Sequence, residues 1–261
     1  MANYSLSLRG KQNPRVVFFA FASCFGCQLQ ITNKEKYLLD VLGQVDLGYW
    51  QLISGQPLPQ EFDVAVIEGA VTTEEAAALV QEIRQRAQCV IGIGACALTG
   101  GIPGIASDAV DQHAQMVYGE ALPAACGDIF APTPIKKYID VDFEVPCCPV
   151  DFYGFVDVLQ RALYGSNKAI QTTSMCGSCM INGTQCLYEQ GQICMGMVTR
   201  AGCGARCPKL GRPCNGCAGI TPDANLESAY QVVASYGQDV EMFKQRLVLF
   251  NAQALSSAEE Q

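Results

Sequence analysis

The sequence predicts an α/β fold in which a parallel-sheet N-terminal domain precedes an irregular, cysteine-rich domain with closing helices. Short buried apolar runs alternate with helical patterns through the first 165 residues, which is typical of crossover units and a parallel sheet. Beyond them, eight of the fifteen cysteines fall within 42 residues, among many glycines and with little periodicity. This change in character predicts two domains, at 15–165 and 170–255.

The elements of the N-terminal domain follow from hydrophobic patterning. The run RVVFFAFA is continuous, apolar and rich in branched and aromatic residues, as a buried strand is. Strands are predicted at 15–22, 45–50, 63–67, 89–93 and 143–146. Helices are predicted at 28–42, 73–87 and 151–164, with Thr73 and Asp151 as N-caps. A glycine-rich loop is expected to run from the fourth strand to Gly104.

The cysteine-rich segment begins after residue 171. Its composition cannot build an ordinary hydrophobic core, so we expect bound metal to hold it together. After it, residues 225–235 and 239–255 are predicted to form two closing helices.

The charge and hydropathy of the chain exclude some classes of protein. The formal net charge of −8 argues against a nucleic-acid-binding protein, which needs a basic face. No apolar run approaches the ~18 residues of a membrane span. The first residues contain neither an apolar signal core nor a twin arginine. These features predict a cytoplasmic protein.

Fifteen cysteines and a single histidine are the most informative part of the composition. Thiols stay reduced in the cytoplasm, so disulfides are not expected and metal ligation becomes the leading use for so many cysteines. Almost all of the ligands should then be sulfur. His113 is predicted to be a surface residue and not a ligand.

The first predicted site lies in loops that follow the strands. Parallel strands place their carboxyl ends at one sheet edge, where binding sites form, so these loops should converge. Cys-x-x-Cys lets two thiolates bind one centre, and a Cys-Pro pair is common where a chain leaves a cluster. The predicted ligands are Cys24, Cys27, Cys96 and Cys148. The alternative for Cys24 and Cys27 is a thioredoxin-like redox pair.

Two neighbours of this site need an interpretation. Glu68 stands at a strand end, where we interpret it as a capped or solvated acid, with a role in proton movement as the alternative. Gly92 and Gly94 belong to a loose match to the dinucleotide fingerprint G-x-G-x-x-A. The match lies in mid-chain and includes Cys96, so we interpret its glycines as making room for a cluster.

Three cysteines of the N-terminal domain remain. Cys89 and Cys126 are predicted to be small buried hydrophobic residues. Cys147 and Cys148 are adjacent, and neighbouring side chains of an extended chain point in opposite directions, so only one of them should ligate easily. We choose Cys148.

The eight later cysteines have the spacing C-x2-C-x6-C-x7-C-x8-C-x3-C-x6-C-x2-C. The simplest division gives two sites of four thiols each. One consists of Cys176, Cys179, Cys186 and Cys194, and the other of Cys203, Cys207, Cys214 and Cys217. The spacing fits no usual zinc ribbon, in which the Cys-x-x-Cys pairs lie about 15–20 residues apart. Iron–sulfur clusters are therefore favoured, and structural zinc is the alternative.

Six motifs occur in an order that is highly specific: ASCFGCQLQ, DVAVIEGAVTTEE, GIGACALTGGI, VPCCPVD, CLYEQGQICMG and TRAGCGARCPKLGRPCNGC. By these motifs, which extend over residues 15–219, the chain resembles the small (delta or gamma) subunit of group 3 nickel–iron hydrogenases. These are the cytoplasmic NAD(P)-linked or sulfhydrogenase-type enzymes and their coenzyme F420-linked relatives.

The resemblance implies a flavodoxin-like N-terminal domain and names for the three sites. A proximal cluster at the interface with a large subunit is implied for Cys24, Cys27, Cys96 and Cys148. A distal cluster is implied for Cys176, Cys179, Cys186 and Cys194, with Cys176 where membrane-bound relatives have histidine. A medial cluster is implied for Cys203, Cys207, Cys214 and Cys217, in which Cys207 adds a thiol to the three-iron site of those relatives. The family usually has glycine in place of Cys147.

The implied function is electron transfer through three 4Fe–4S clusters. Electrons would pass between the nickel–iron site of a large subunit and a flavin- or iron–sulfur-containing partner, and this chain would contain no catalytic residue. One alternative is a complex I-like quinone-reductase cluster subunit, which resembles the N-terminal half but lacks the eight-cysteine tail. The other is a zinc-stapled binding module without a redox role.

Overall fold

Strands alternate with helices in the first part of the chain, as predicted. The computed structural model describes residues 8, 11–34, 37, 39–40, 43–106, 109–119, 127–165 and 172–259. Its strands are β1 (Arg15–Ala20), β2 (Asp46–Trp50), β3 (Phe62–Glu68), β4 (Val71–Thr73), β5 (Ala87–Ile93), β6 (Ile129–Thr133) and β7 (Phe143–Val145). Its α-helices are α1 (Gly26–Thr32), α2 (Glu74–Arg86), α3 (Gly94–Thr99), α4 (Val110–Tyr118), α5 (Phe152–Tyr164), α6 (Met175–Ile181), α7 (Arg206–Lys209), α8 (Leu226–Ser235) and α9 (Val240–Glu259).

The main sheet is parallel. Within the described residues its strand order is β2-β1-β3-β5-β7, and every neighbouring pair is parallel. Numbered within this sheet alone, the order is 2-1-3-4-5, which is the flavodoxin order. Such a sheet has its topological switch point between β1 and β3, so the fold confirms a crevice beyond the carboxyl ends of these two strands.

Both faces of the sheet are covered. Along β1, Val16 and Phe18 belong to the hydrophobic core on one face, and Val17 and Phe19 belong to the core on the other. Helices α1 and α5 contribute to the first core and α2 contributes to the second. The predicted caps are also present, because Thr73 Oγ1 accepts a hydrogen bond from Ala76 N–H and Asp151 Oδ2 accepts one from Gly154 N–H.

The structure differs from the predicted elements in three places. The expected glycine-rich loop contains α3 and a 3-10 turn (Ile102–Ala106), since Ala-Cys-Ala-Leu supports a helix that Gly100 ends in a left-handed conformation. The first helix ends at Thr32, and part of the region predicted as helix up to residue 42 lies outside the described residues. The antiparallel pair of β4 and β6, together with α4, was missed by the patterning.

The C-terminal part has a small hydrophobic core of its own, which differs from the prediction that metal binding alone holds it. Helices α8 and α9 supply Val233, Phe243 and Leu247, which pack with residues of the cysteine-rich segment such as Met195. Helix α9 also packs against α3 and the adjoining 3-10 turn. No helix among the residues that the structure describes is long and apolar enough to cross a membrane.

Candidate metal centres

The first set of thiols gathers at the carboxyl edge of the parallel sheet. Cys24 follows β1, Cys27 lies in α1, Cys96 lies in α3 after β5, and Cys148 follows β7. Burial raises the pKa of the Cys96 thiol to about 12, and the neighbouring Cys148 and Cys24 thiols contribute to this rise. Burial likewise raises the pKa of Cys27, with contributions from Glu68, Cys148 and Cys96. The four thiols predicted as the proximal set therefore lie close enough to repel one another as thiolates.

Glu68 fixes the start of the helix that carries Cys27. It is the last residue of β3 and only 1% exposed, and its two carboxylate oxygens accept the backbone N–H groups of Cys27 at 3.1 Å and Gln28 at 3.2 Å. Helix α1 has no N-cap side chain of its own, because Phe25 stands there in a left-handed conformation. Burial raises the pKa of the Glu68 carboxyl. Glu68 is thus a capped acid, as predicted, and it caps from a neighbouring strand.

Gly94 leaves the space that Cys27 needs. Its φ angle is +80°, and a Cβ atom at this position would lie 2.5 Å from the Sγ atom of Cys27. That distance is far below a van der Waals contact, so only glycine permits the thiol to stand there. This observation supports the interpretation of the glycines as making room at the thiol site.

The second set of thiols lies on and after α6. Burial raises the pKa of Cys176 to about 11, and the nearby Cys194, Cys179 and Cys186 thiols contribute to this rise. The backbone around this set is tied down, because Tyr188 Oη donates a 2.8 Å hydrogen bond to the carbonyl of Cys194. The four thiols predicted as the distal set are thus together.

The third set of thiols lines a cavity of about 80 Å³. Cys203, Cys207, Cys214 and Cys217 share it with Cys148, Met175, Thr199 and Phe250. Burial raises the pKa of Cys207, and the Cys217 and Cys203 thiols add to the effect. Two neighbours missed by the sequence reasoning hold this set: the Thr199 hydroxyl hydrogen-bonds the Cys214 thiol, and Asn251 Nδ2 donates to the carbonyl of Gly216 at 3.4 Å. Neither carries a signal in the sequence.

Direct hydrogen bonds join the three sets in one order. The backbone N–H of Cys148, in the first set, donates to the thiol of Cys217 in the third. The backbone N–H of Cys214, in the third set, donates to Cys194 Sγ of the second set at 3.2 Å. The third set therefore lies between the other two.

The remaining cysteines and the histidine have different surroundings. Cys89 is fully buried in β5, as predicted for a small hydrophobic residue, and His113 is exposed on α4. Cys126 lies outside the described residues. Cys147 is buried, and its thiol hydrogen-bonds with Cys203 and Cys217 and not with the first set. The adjacent cysteines thus do point to different places.

The donor sets suit polynuclear clusters. Buried thiolates that repel one another need a cationic partner to be stable, and iron in a cluster supplies it. Among the described residues, no three Cys, His, Asp or Glu side chains converge as they would on a single metal ion. The four thiolates of a four-iron cluster each bind a different iron, so they need not meet at one point.

Comparison with known proteins gives two consistent results. The family model described as "NADH ubiquinone oxidoreductase, 20 Kd subunit" matches residues 24–162. Over nearly the full length, the chain is 30% identical to a subunit of the vhu F420-non-reducing hydrogenase of Methanocaldococcus jannaschii, covering 94% of this chain and 96% of that one. It is 28% identical to the delta subunit of sulfhydrogenase 2 of Pyrococcus furiosus, covering 86% of this chain and 94% of that one.

Solved structures support the fold. The chain matches a subunit of an NAD+-reducing [NiFe]-hydrogenase with a TM-score of 0.53 at 23% identity, over 61% of this chain and 96% of that one. It matches a subunit of the Ni-Fe-Se hydrogenase from Desulfomicrobium baculatum with a TM-score of 0.55 at 14% identity, over 79% and 94%. The chain belongs to the NADH ubiquinone oxidoreductase 20 kDa subunit family and, within it, to the small subunits of group 3 nickel–iron hydrogenases.

Proposed function

We propose that this chain relays electrons through three 4Fe–4S clusters between the nickel–iron site of a large subunit and a flavin- or iron–sulfur-containing partner. Each cluster would be held by one of the three thiol sets, and when bound it supplies one-electron storage. The protein supplies the positions of the thiols, the burial around them and the hydrogen bonds to sulfur.

The order of the three sets is the observation that carries the proposal. Cys148 links the first set to the third through Cys217, and Cys214 links the third to the second through Cys194. A single file of sites is what a relay needs, whereas isolated structural metal sites have no reason to touch one another.

The two ends of this file suggest where partners bind. Cys24 and Cys148 are exposed, which supports a large subunit docked against the proximal set. At the other end Cys176 and Cys186 are exposed, and Met180 and Ile181 beside them are 76% and 89% exposed. Apolar side chains this open beside a predicted redox site favour the acceptor partner there.

We further propose that the protein is cytoplasmic and that its domains are 15–165 and 170–255. Free thiols throughout the described residues support a reducing compartment. The separate hydrophobic cores of the two parts support the division.

Metal analysis of the native complex, purified without oxygen, tests the proposal. This chain should hold about twelve irons, four for each cubane, and little zinc. The separated chain should not take up hydrogen with a dye acceptor, because the nickel–iron centre lies in the large subunit. Stoichiometric zinc with no visible charge-transfer absorption would instead support the zinc-stapled module, and quinone reduction by the complex would support the complex I-like alternative.

A further inference from the structure

Cys147 is a fifth thiol at a site that needs four. It is 3% exposed, and its thiol hydrogen-bonds with Cys203 and Cys217 of the third set. Its neighbour Cys148 interacts instead with Cys24 in the first set. One peptide unit thus presents a sulfur to each of two predicted clusters.

The backbone at Cys147 is held in an unusual conformation. Its φ angle is +96°, a region that glycine occupies easily and cysteine rarely. The carbonyl of Cys147 accepts a 3.0 Å hydrogen bond from Ala95 N–H, next to the predicted ligand Cys96. A side chain at such a position is unfavourable for the backbone, so its presence calls for a gain elsewhere.

Ion pairs fix the segment on both sides. Before it, Arg200 and Glu144 are joined at 2.6 Å, and after it, Arg206 and Asp151 are joined at 2.8 Å. Both arginines belong to the cysteine-rich segment and both acids to the strand and loop around Cys147. The thiol of Cys147 is therefore held against the third set and does not swing freely.

The hydrogen bonds have a direction. The contact with Cys147 lowers the pKa of Cys203 to about 6 and also lowers the pKa of Cys217, whereas the pKa of Cys147 itself is raised by both contacts and by burial. Cys147 is thus the neutral S–H donor, and Cys203 and Cys217 are the accepting thiolates.

We propose that Cys147 is a positioning residue of the medial site that does not ligate iron but donates S–H hydrogen bonds to the ligand sulfurs of Cys203 and Cys217. This inference rests on the proposed medial cluster. Hydrogen bonds to ligand sulfur withdraw negative charge and favour the reduced cluster, so they raise its reduction potential. Cys147 would thereby make the medial site easier to reduce.

Three variants of the native complex test this role. Cys147→Gly removes the donor and relieves the positive φ, Cys147→Ser keeps a donor, and Cys89→Ala is a buried cysteine control in β5. Paramagnetic resonance during a redox titration follows each cluster, and iron analysis counts them. We expect Cys147→Gly to keep all of its iron but to shift the medial potential to more negative values. At a fixed poise, the reduced-to-oxidised ratio should fall about three- to tenfold, as for loss of a charge-assisted hydrogen bond.

The remaining variants complete the test. Cys147→Ser should restore most of the shift, and Cys89→Ala should cause none. An unchanged medial potential in Cys147→Gly would overturn the proposal, and so would loss of medial iron in either Cys147 variant, which would make Cys147 a ligand. A native protein without any medial cluster would overturn the proposed function first, and the iron count of the unaltered complex distinguishes that case.

Discussion

The carboxylate of Glu68 accepts the backbone N–H of Cys27 across 3.1 Å, which ties the end of β3 to the helix that follows β1. The bond crosses the topological switch point of the sheet. It orients the Cys27 thiol without touching it, so the position of a predicted ligand depends on an acid 41 residues away in the chain.

Replacing this acid should loosen the proximal site. Glu68→Gln turns one acceptor oxygen into an amide donor facing a backbone N–H, and we expect unfolding to require about 1–3 kcal/mol less free energy. The proximal cluster should also lose iron faster in air. Denaturant unfolding and iron release measure the two effects. Asp63→Asn is the control, since Asp63 is a buried acid at the opposite end of β3, and iron loss as fast in this control would show that Glu68 has no local role.

Gly94 should tolerate no side chain. Gly94→Ala would place a Cβ atom 2.5 Å from Cys27 Sγ at a φ of +80°, so Cys27 could not keep its place. We expect about four irons to be lost per chain, one cluster in all. Gly177→Ala lies between Cys176 and Cys179 with nothing within 4 Å and should lose none. Full iron content in Gly94→Ala would contradict the assignment of Cys27.

Much of the N-terminal fold could be predicted from the sequence because buried parallel strands are continuous apolar runs with few alternatives. The β4–β6 pair could not, since β4 has only three residues and β6 contains Pro132. The small core around Met195 was also hidden, because its partners Phe243 and Leu247 lie on a distant helix.

The membership of the sites was easier to predict than their orientation. Spacing alone divided the later cysteines into the two sets that the structure brings together. The positive φ of Cys147 and the resulting direction of its thiol depend on tertiary contacts such as Arg200 with Glu144 and cannot be deduced from adjacency. The choice of Cys148 for the first set rested on alternation in an extended chain, and the ligand assignments themselves stay predictions.

The exposed end of α6 should bind the acceptor partner. Ile181→Glu puts a charge on a side chain that is 89% exposed, two residues from Cys179, and the desolvation of that charge should weaken docking at least about tenfold. The altered complex should keep its iron and its hydrogen-driven dye reduction but reduce its natural acceptor poorly. Met116→Glu, on α4 and 82% exposed, is the matched control. Equal acceptor reduction in both variants would argue against this docking surface.

Cys207 should decide the type of the medial cluster. It lines the same cavity as Cys203, Cys214 and Cys217, from the short helix α7, and the four thiols together could hold all four irons of a cubane. Cys207→Ala removes one ligand, so we expect a three-iron cluster with a new paramagnetic signal in the oxidised state and a loss of about one iron per chain. The proximal and distal signals should stay unchanged, and electron transfer to the outer partner should slow because the medial site lies between the other two.

The neighbouring thiol of Cys147 makes this experiment informative either way. As a neutral donor to Cys203 and Cys217 it should not replace the missing ligand, so the three-iron form should persist in Cys207→Ala. Cys89→Ala, which removes a fully buried thiol from β5, should leave all three clusters intact. If Cys207→Ala retained three four-iron clusters, the assignment of Cys207 would be wrong, and a further loss of the medial cluster in the double variant with Cys147→Gly would identify Cys147 as the ligand in its place.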